Sequence, residues 1–220
     1  NDTLLSVERL KVELRLWKLL KKEIEVEEIS VQNAVVDSRD FIDGIEVNGR
    51  LGELFLESHG VIFSPETARI NEFSVKNTDV SLTLENMEDT DTTTTEPIYW
   101  KILLDEIDFE NVGFALNMPQ DSLFVRTMLP KTTLKDGVID LKEASYYVKS
   151  FDMDNAELAY GPKEELSLKK IGLQLDSIYY CGRDIRANIE EFVFKERSGL
   201  ELVSTEGRIA SDSVLIQIPK

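Results

Sequence analysis

Five near-copies of one short phrase recur along the chain: VEEISVQNAVV (26–36), INEFSVKNTDV (70–80), LDEIDFENVGF (104–114), VKSFDMDNAEL (148–158) and IEEFVFKERSGL (189–200). The first four share a template. An apolar residue is followed by two mostly acidic or polar ones, then an apolar pair two apart, an Asn, and another apolar residue. The asparagines are Asn33, Asn77, Asn111 and Asn155, so successive gaps are 44, 34 and 44 residues, and the fifth copy has Glu196 where the Asn would fall. Repeats of this period build stacked arrays, because one copy alone cannot bury its apolar side.

The spacing inside the phrase is that of β structure. Phe73 and Val75 are two apart, about 200° on a helix, so they share a face only on a strand. The steps from Ile70 to Phe73 and from Val75 to Val80 are odd, which would put these residues on opposite faces of a regular strand. One irregularity near Asn71–Glu72 and another near Asn77–Thr78 would return all of them to one face. Bulges do this, and Asn tolerates the left-handed backbone they often need. The alternative at the second position is a tight turn at Asn77 that ends the strand. In both readings each copy has one wet face and one apolar face.

The rest of the chain supports an all-β, mostly antiparallel fold in a single elongated, repeat-built domain over residues 1–220. Residues 7–16 alternate apolar and charged. WKLLKKE (17–23) changes character and reads as one short helix, with the densest basic spot of the chain at Lys18, Lys21 and Lys22. Beyond it, alternating runs recur between turn signals such as Asp136-Gly137, Gly161-Pro162 and Ser198-Gly199, giving roughly fourteen strands of ordinary length. His59, before Gly60, reads as a strand-end or turn residue. EDTDTTTTEP (88–97) reads as a mobile polar loop; it lacks the glycine and terminal glutamate of a calcium loop.

Composition excludes several function classes. The net charge of −17 argues against nucleic acid and against electrostatic docking on anionic headgroups. One cysteine, Cys181, rules out an internal disulfide and reads as a small strand residue beside Tyr180; one histidine, His59, rules out a multi-histidine zinc site. No phosphate-cradling loop, GxSxG or HExxH motif is present, and 42 acidic residues make any one carboxylate pair uninformative. The expectation is a non-enzyme with no cofactor. No stretch is apolar enough to span a membrane. The chain starts at Asn1 without a Met, which reads as a processed or excised piece.

Sequential strands with one apolar face must hide that face. The sheet can fold onto itself as a sandwich, close as a barrel, or curl into a trough whose lining solvates acyl chains. The candidate lining residues are the apolar members of the repeats: Ile29, Val31, Ile70, Phe73, Val75, Leu104, Ile107, Phe109, Phe151, Met153, Phe192 and Phe194. In a sandwich the same residues are core, and the protein is a structural or adhesive module binding protein partners through an acidic outer face.

LLSVERLKVELRLWKLLKKEIEVEEISVQNAVV (4–36) and IYWKILLDEIDFENVGFAL (98–116) together resemble the AsmA/TamB family, in particular the TamB-like proteins of Bacteroidetes-type bacteria. The order of amphipathic strand, LWKLLKK-like turn and N-A-ending strand is followed by residues 7–36. A W-K-I-x-L-D-x-I-x-F-x-N phrase is matched from Trp100 to Asn111. The resemblance implies a long curled, taco-like sheet with an apolar groove, in a periplasmic protein anchored in the inner membrane. It implies phospholipid transport between inner and outer membranes, an outer-membrane barrel partner of the Omp85 class, or both. The anchor and the region that would meet the barrel have no counterpart in the chain, which would come from the periplasmic part near the inner membrane.

Overall fold

The computed structural model describes residues 4–15, 26–38, 44–63, 66–85, 99–161, 165–182, 184–196, 199–204, 207–211 and 215–217. They form one twelve-stranded sheet. The strands are β1 (Leu5–Leu14), β2 (Val26–Asp37), β3 (Ile45–Phe63), β4 (Glu66–Leu84), β5 (Lys101–Met118) and β6 (Leu123–Asp140), then β7 (Ser145–Tyr160), β8 (Leu166–Cys181), β9 (Asp184–Glu196), β10 (Glu201–Ser204), β11 (Gly207–Ser211) and β12 (Leu215–Gln217). The spatial order follows the chain, except that β10 and β11 both pair with β9. Every pairing is antiparallel apart from β4 with β5, which is parallel. The expected helix at 17–23 and the loop at 88–97 lie outside the described residues.

That one parallel pairing explains the uneven repeat spacing. In an antiparallel meander every second strand runs the same way, so copies two strands apart, in β2 and β4 or in β5 and β7, are 44 residues apart. The copies in β4 and β5 are adjacent and parallel, and their gap is 34. All five copies therefore point in one direction.

The described strands are longer than expected. β3 and β4 have 19 residues each, against the five or six or so of an ordinary strand. Two lines of irregular residues crease the sheet and stand in for the missing turns. The central crease passes through Asn33, Asn77, Asn111 and Asn155, all left-handed with φ of 51–54°. By register, Asn33 and Asn77 flank Gly52, Asn77 lies beside Asn111, and Asn111 and Asn155 flank Pro130. The line continues to Lys170 of β8, at φ 54. The second crease runs through Asn71, Asp105, Asp136 (φ 51), Lys149 and Ser177 (φ 56), and the register of β3 shifts at Ser58.

Several sequence expectations are corrected here. Asp136-Gly137 is not a turn: β6 runs through it, and the left-handed Asp136 forms part of the second crease. A tight turn at Asn77 is excluded, because β4 continues to Leu84. His59 is not at a strand end but inside β3, at the register shift between Ser58 and Gly60. The turn expectation holds at Gly161 and Gly199, with φ 93 and 101. The fifth copy, lacking the Asn, is where the strand stops, at Glu196.

The sheet does not fold onto itself. Substantial contacts between strands are all between lateral neighbours. Among the described residues the buried apolar side chains are Ala34, Val75, Leu104, Ala156 and Ala187, three of them alanines. The accessible surface is 15239 Å², against about 10,300 Å² expected for a compact monomer of this mass. The described residues therefore form an open, creased, single-layer sheet, neither a sandwich nor a closed barrel.

Candidate functional site: an uncovered apolar face

Residues directly opposite each other on paired strands project to the same face. The ladders therefore define rows that cross the sheet from β1 to β9. One row reads Val12, Ile29, Leu56, Phe73, Ile107, Leu134, Phe151, Leu175 and Ile189, from β1 to β9. The next reads Leu10, Val31, Leu54, Val75, Phe109, Thr132, Met153, Leu173 and Phe192. Phe73 and Phe109, diagonal neighbours in these two rows, meet edge to face at 6.3 Å.

The creases keep the apolar residues on this face. In β4 they run Ala68 and Ile70, then Phe73 and Val75, then Thr78, Val80, Leu82 and Leu84. The parity changes at Asn71 and again at Asn77. The polar side shows the same resets. Lys76 reaches Glu110 at 3.4 Å, while Asp79 overlies Gly113, where an added Cβ would stand 2.7 Å from the carboxylate. Across the second crease Arg69 makes a two-pronged contact with Asp105, at 3.2 and 3.1 Å, and Asn71 donates to the same carboxylate at 2.9 Å. Lys149 pairs with Asp136 at 3.0 Å. At the central crease Asn111 Nδ2 donates to Asn77 Oδ1 at 3.3 Å.

The structure gathers nine of the twelve candidate residues into these two rows. Ile29, Phe73, Ile107 and Phe151 share the first. Val31, Val75, Phe109, Met153 and Phe192 share the second. Ile70 and Leu104 pair directly beyond the second crease, in a row continued by Gly137, Val148 and Ile178. Gly137 makes room there, because a Cβ would meet Leu104 and Leu134 at 3.3 Å. Phe194 falls outside, opposite Leu202 on β10. The fifth copy has slipped: Ile189, not Phe192, enters the row of Phe73. Sequence reasoning missed the lining from the return strands, Leu54, Leu56, Leu134, Leu173 and Leu175, which carry no template; alternation in GELFLES and GLQLDS was the available signal.

Little among the described residues covers this face. Most of its large side chains are only half-buried, and Leu10, Val12, Phe114 and Tyr146 are 62, 48, 39 and 38% exposed. Among the described residues, one buried side-chain polar atom on it is left unsatisfied. Thr132 Oγ1 is buried between Phe109 and Met153 without a hydrogen-bond partner. A depression of about 730 Å³ is lined by Lys131, Lys135, Asp152, Gln174 and Glu191 of the polar face, with Phe151, Met153, Leu173 and Leu175 of the apolar rows at its wall. Its mixed charges suit water better than an acyl chain. Among the described residues no group of His, Cys, Asp and Glu converges as a metal site, and no helix is long and apolar enough to cross a membrane. The class these features define is an open β-sheet with one wet face and one uncovered apolar face. No protein-family model and no curated protein matches the chain.

Proposed function

We propose that this chain is a non-catalytic, groove-forming protein whose apolar face solvates the acyl chains of phospholipids while their headgroups stay in water. The carrying observation is the pair of apolar rows that cross nine strands with no second layer over them among the described residues. An uncovered face of that extent on a soluble body implies an occupant, and rows lined by Val, Ile, Leu, Phe and Met suit acyl chains, which need no hydrogen bonds. The resemblance to the AsmA/TamB family supports the wider setting: a periplasmic segment of an inner-membrane-anchored protein, moving phospholipid between the two membranes or assisting outer-membrane protein assembly with an Omp85-class barrel. No cofactor enters this reading.

The test is native mass spectrometry of gently purified protein, with lipid extraction of the same sample. Val75 is too buried for a clean variant, so Phe114→Asp, at a 39% exposed position on the same face, is used instead. Co-purifying phospholipid, lost in folded Phe114→Asp but kept in a polar-face control such as Glu157→Gln, supports the proposal. Bare wild-type protein that also takes up no phospholipid from added vesicles overturns it.

A further inference from the structure

The two edges of the sheet are built differently. On the β9 side the sheet ends in β10, β11 and β12, of four, five and three residues. Short edge strands of this kind blunt unwanted pairing. Among the described residues the other edge is β1, ten residues long and without proline, with a register shift at Glu13–Leu14. Its apolar-face residues Leu5, Leu10 and Val12 are 57, 62 and 48% exposed. Nothing described covers its outer backbone groups.

We propose that β1 pairs antiparallel with β1 of a second copy of this chain, about a two-fold axis between Glu8 and Arg9. The register follows from the crease. The central crease reaches β1 at Glu8, which lies opposite Asn33 and accepts its Nδ2 at 2.6 Å. The alternation resets there, so Leu5 and Val7 before it share a face with Leu10 and Val12 after it. With the axis between Glu8 and Arg9, Val7 faces Leu10 of the second copy and Leu5 faces its Val12. Glu8 faces Arg9 of the second copy, and the symmetry makes this ion pair twice. An axis on Glu8 or on Arg9 instead sets like charges opposite each other and interrupts the crease. In the paired register the apolar face and the central crease run unbroken through both copies. Such a joint is isologous and closes at two chains. This inference is independent of the lipid reading.

The test uses cysteine pairs in a Cys181→Ser background. Directly opposed residues have Cα atoms about 5.5 Å apart, within disulfide reach. Val7 lies about 10 Å along the strand from the Val7 of the second copy, too far to bridge. Oxidising a mixture of Val7→Cys and Leu10→Cys proteins should therefore give a cross-linked dimer, while either protein alone gives little. Native mass spectrometry at about 100 μM, suited to an interface below the standard size, should show a dimer that Arg9→Glu dissociates and Glu8→Arg with Arg9→Glu restores. A monomer at that concentration overturns the proposal. So does a dimer whose cross-linking does not depend on mixing, or one indifferent to the charge reversal. Circular dichroism of each variant confirms that the sheet is intact.

Discussion

At the scale of the residue, the four repeated asparagines carry the clearest message. A left-handed backbone disfavours L-residues by about 1–2 kcal/mol, and Asn and Gly are the residues that visit it routinely. Asn77→Val should therefore lower stability by about 1–2 kcal/mol, while Asn77→Gly should be nearly silent; urea midpoints of the two variants check this. Gly52 answers Asn33 and Asn77 from the strand between them. A Cβ there would stand 2.6 Å from the Asn77 carbonyl oxygen and 2.7 Å from that of Lys76. Both obstacles are backbone and cannot swing aside. Gly52→Ala should thus cost about 1–3 kcal/mol, whereas Gly172→Ala, whose nearest neighbour is at 3.7 Å, should cost far less. Thr132 should behave in the opposite sense. Its hydroxyl is buried without a partner in an apolar row, and Thr132→Val keeps the shape while removing an unmet hydrogen bond. We expect a gain of about 1 kcal/mol, read from the same urea titration. The asparagines were legible in the sequence because Asn recurs at fixed offsets from the apolar pair. Thr132 was not, because a threonine on a strand gives no sign of which face or which neighbours it will have.

At the scale of the element, the local signal for a left-handed residue is the same in a turn and in a bulge. Asp136-Gly137 looks like a hairpin turn, yet both flanking halves of β6 pair in one register with β5. What decides the matter is non-local: Asp105 and Lys149 on the neighbouring strands occupy the same line. This is why the sequence suggested shorter strands than form, while the alternation was read correctly in the first four repeat copies but not in β1, where it resets at Glu8. The parallel β4–β5 step was also invisible locally, although the shortened gap between Asn77 and Asn111 marks its place. Polar-face pairs then tie the long strands sideways. Hydrogen bonds from Lys149 to Asp136, from Lys135 to Glu106, and from Lys11 to Glu13 and Glu28, reinforced by charge, hold these three ammonium groups above the ordinary 10.5. A folded-state pKa raised in this way means stabilisation that is complete below 10.5 and fades as pH rises through the raised value. Lys149→Met should therefore lower the urea midpoint by a constant amount from neutral pH to about pH 10. The difference from wild type should close at higher pH. Because these pairs are solvent-exposed, the whole effect should be small and should shrink in high salt.

At the scale of the whole molecule, the sequence left two architectures open, because the same apolar residues serve as core in a sandwich and as lining in an open sheet. Patterning reports which residues share a face, but not whether a second layer covers it. The accessible surface of 15239 Å² answers that, and it has a measurable consequence. The unfolded chain exposes area nearly in proportion to its mass, about 36,000 Å² here. An open sheet therefore exposes about a fifth less new surface on unfolding than a compact protein of the same mass. The urea m-value scales with that newly exposed area. The protein should show an m-value about a fifth below that of compact proteins of its length, with a transition that remains cooperative because every strand is tied to its neighbours by a continuous ladder. Adding phospholipid vesicles or a short-chain phosphatidylcholine below its micelle concentration should raise the midpoint, because the ligand binds the native face and has no equivalent site on the unfolded chain. Phe114→Asp should abolish that rise while retaining the low m-value. The low m-value reports the missing second layer and the midpoint shift reports what fills its place. An ordinary m-value would mean that the chain itself covers its apolar face in solution. A low m-value with no lipid-induced shift would leave the sheet open and remove the acyl chain as its occupant.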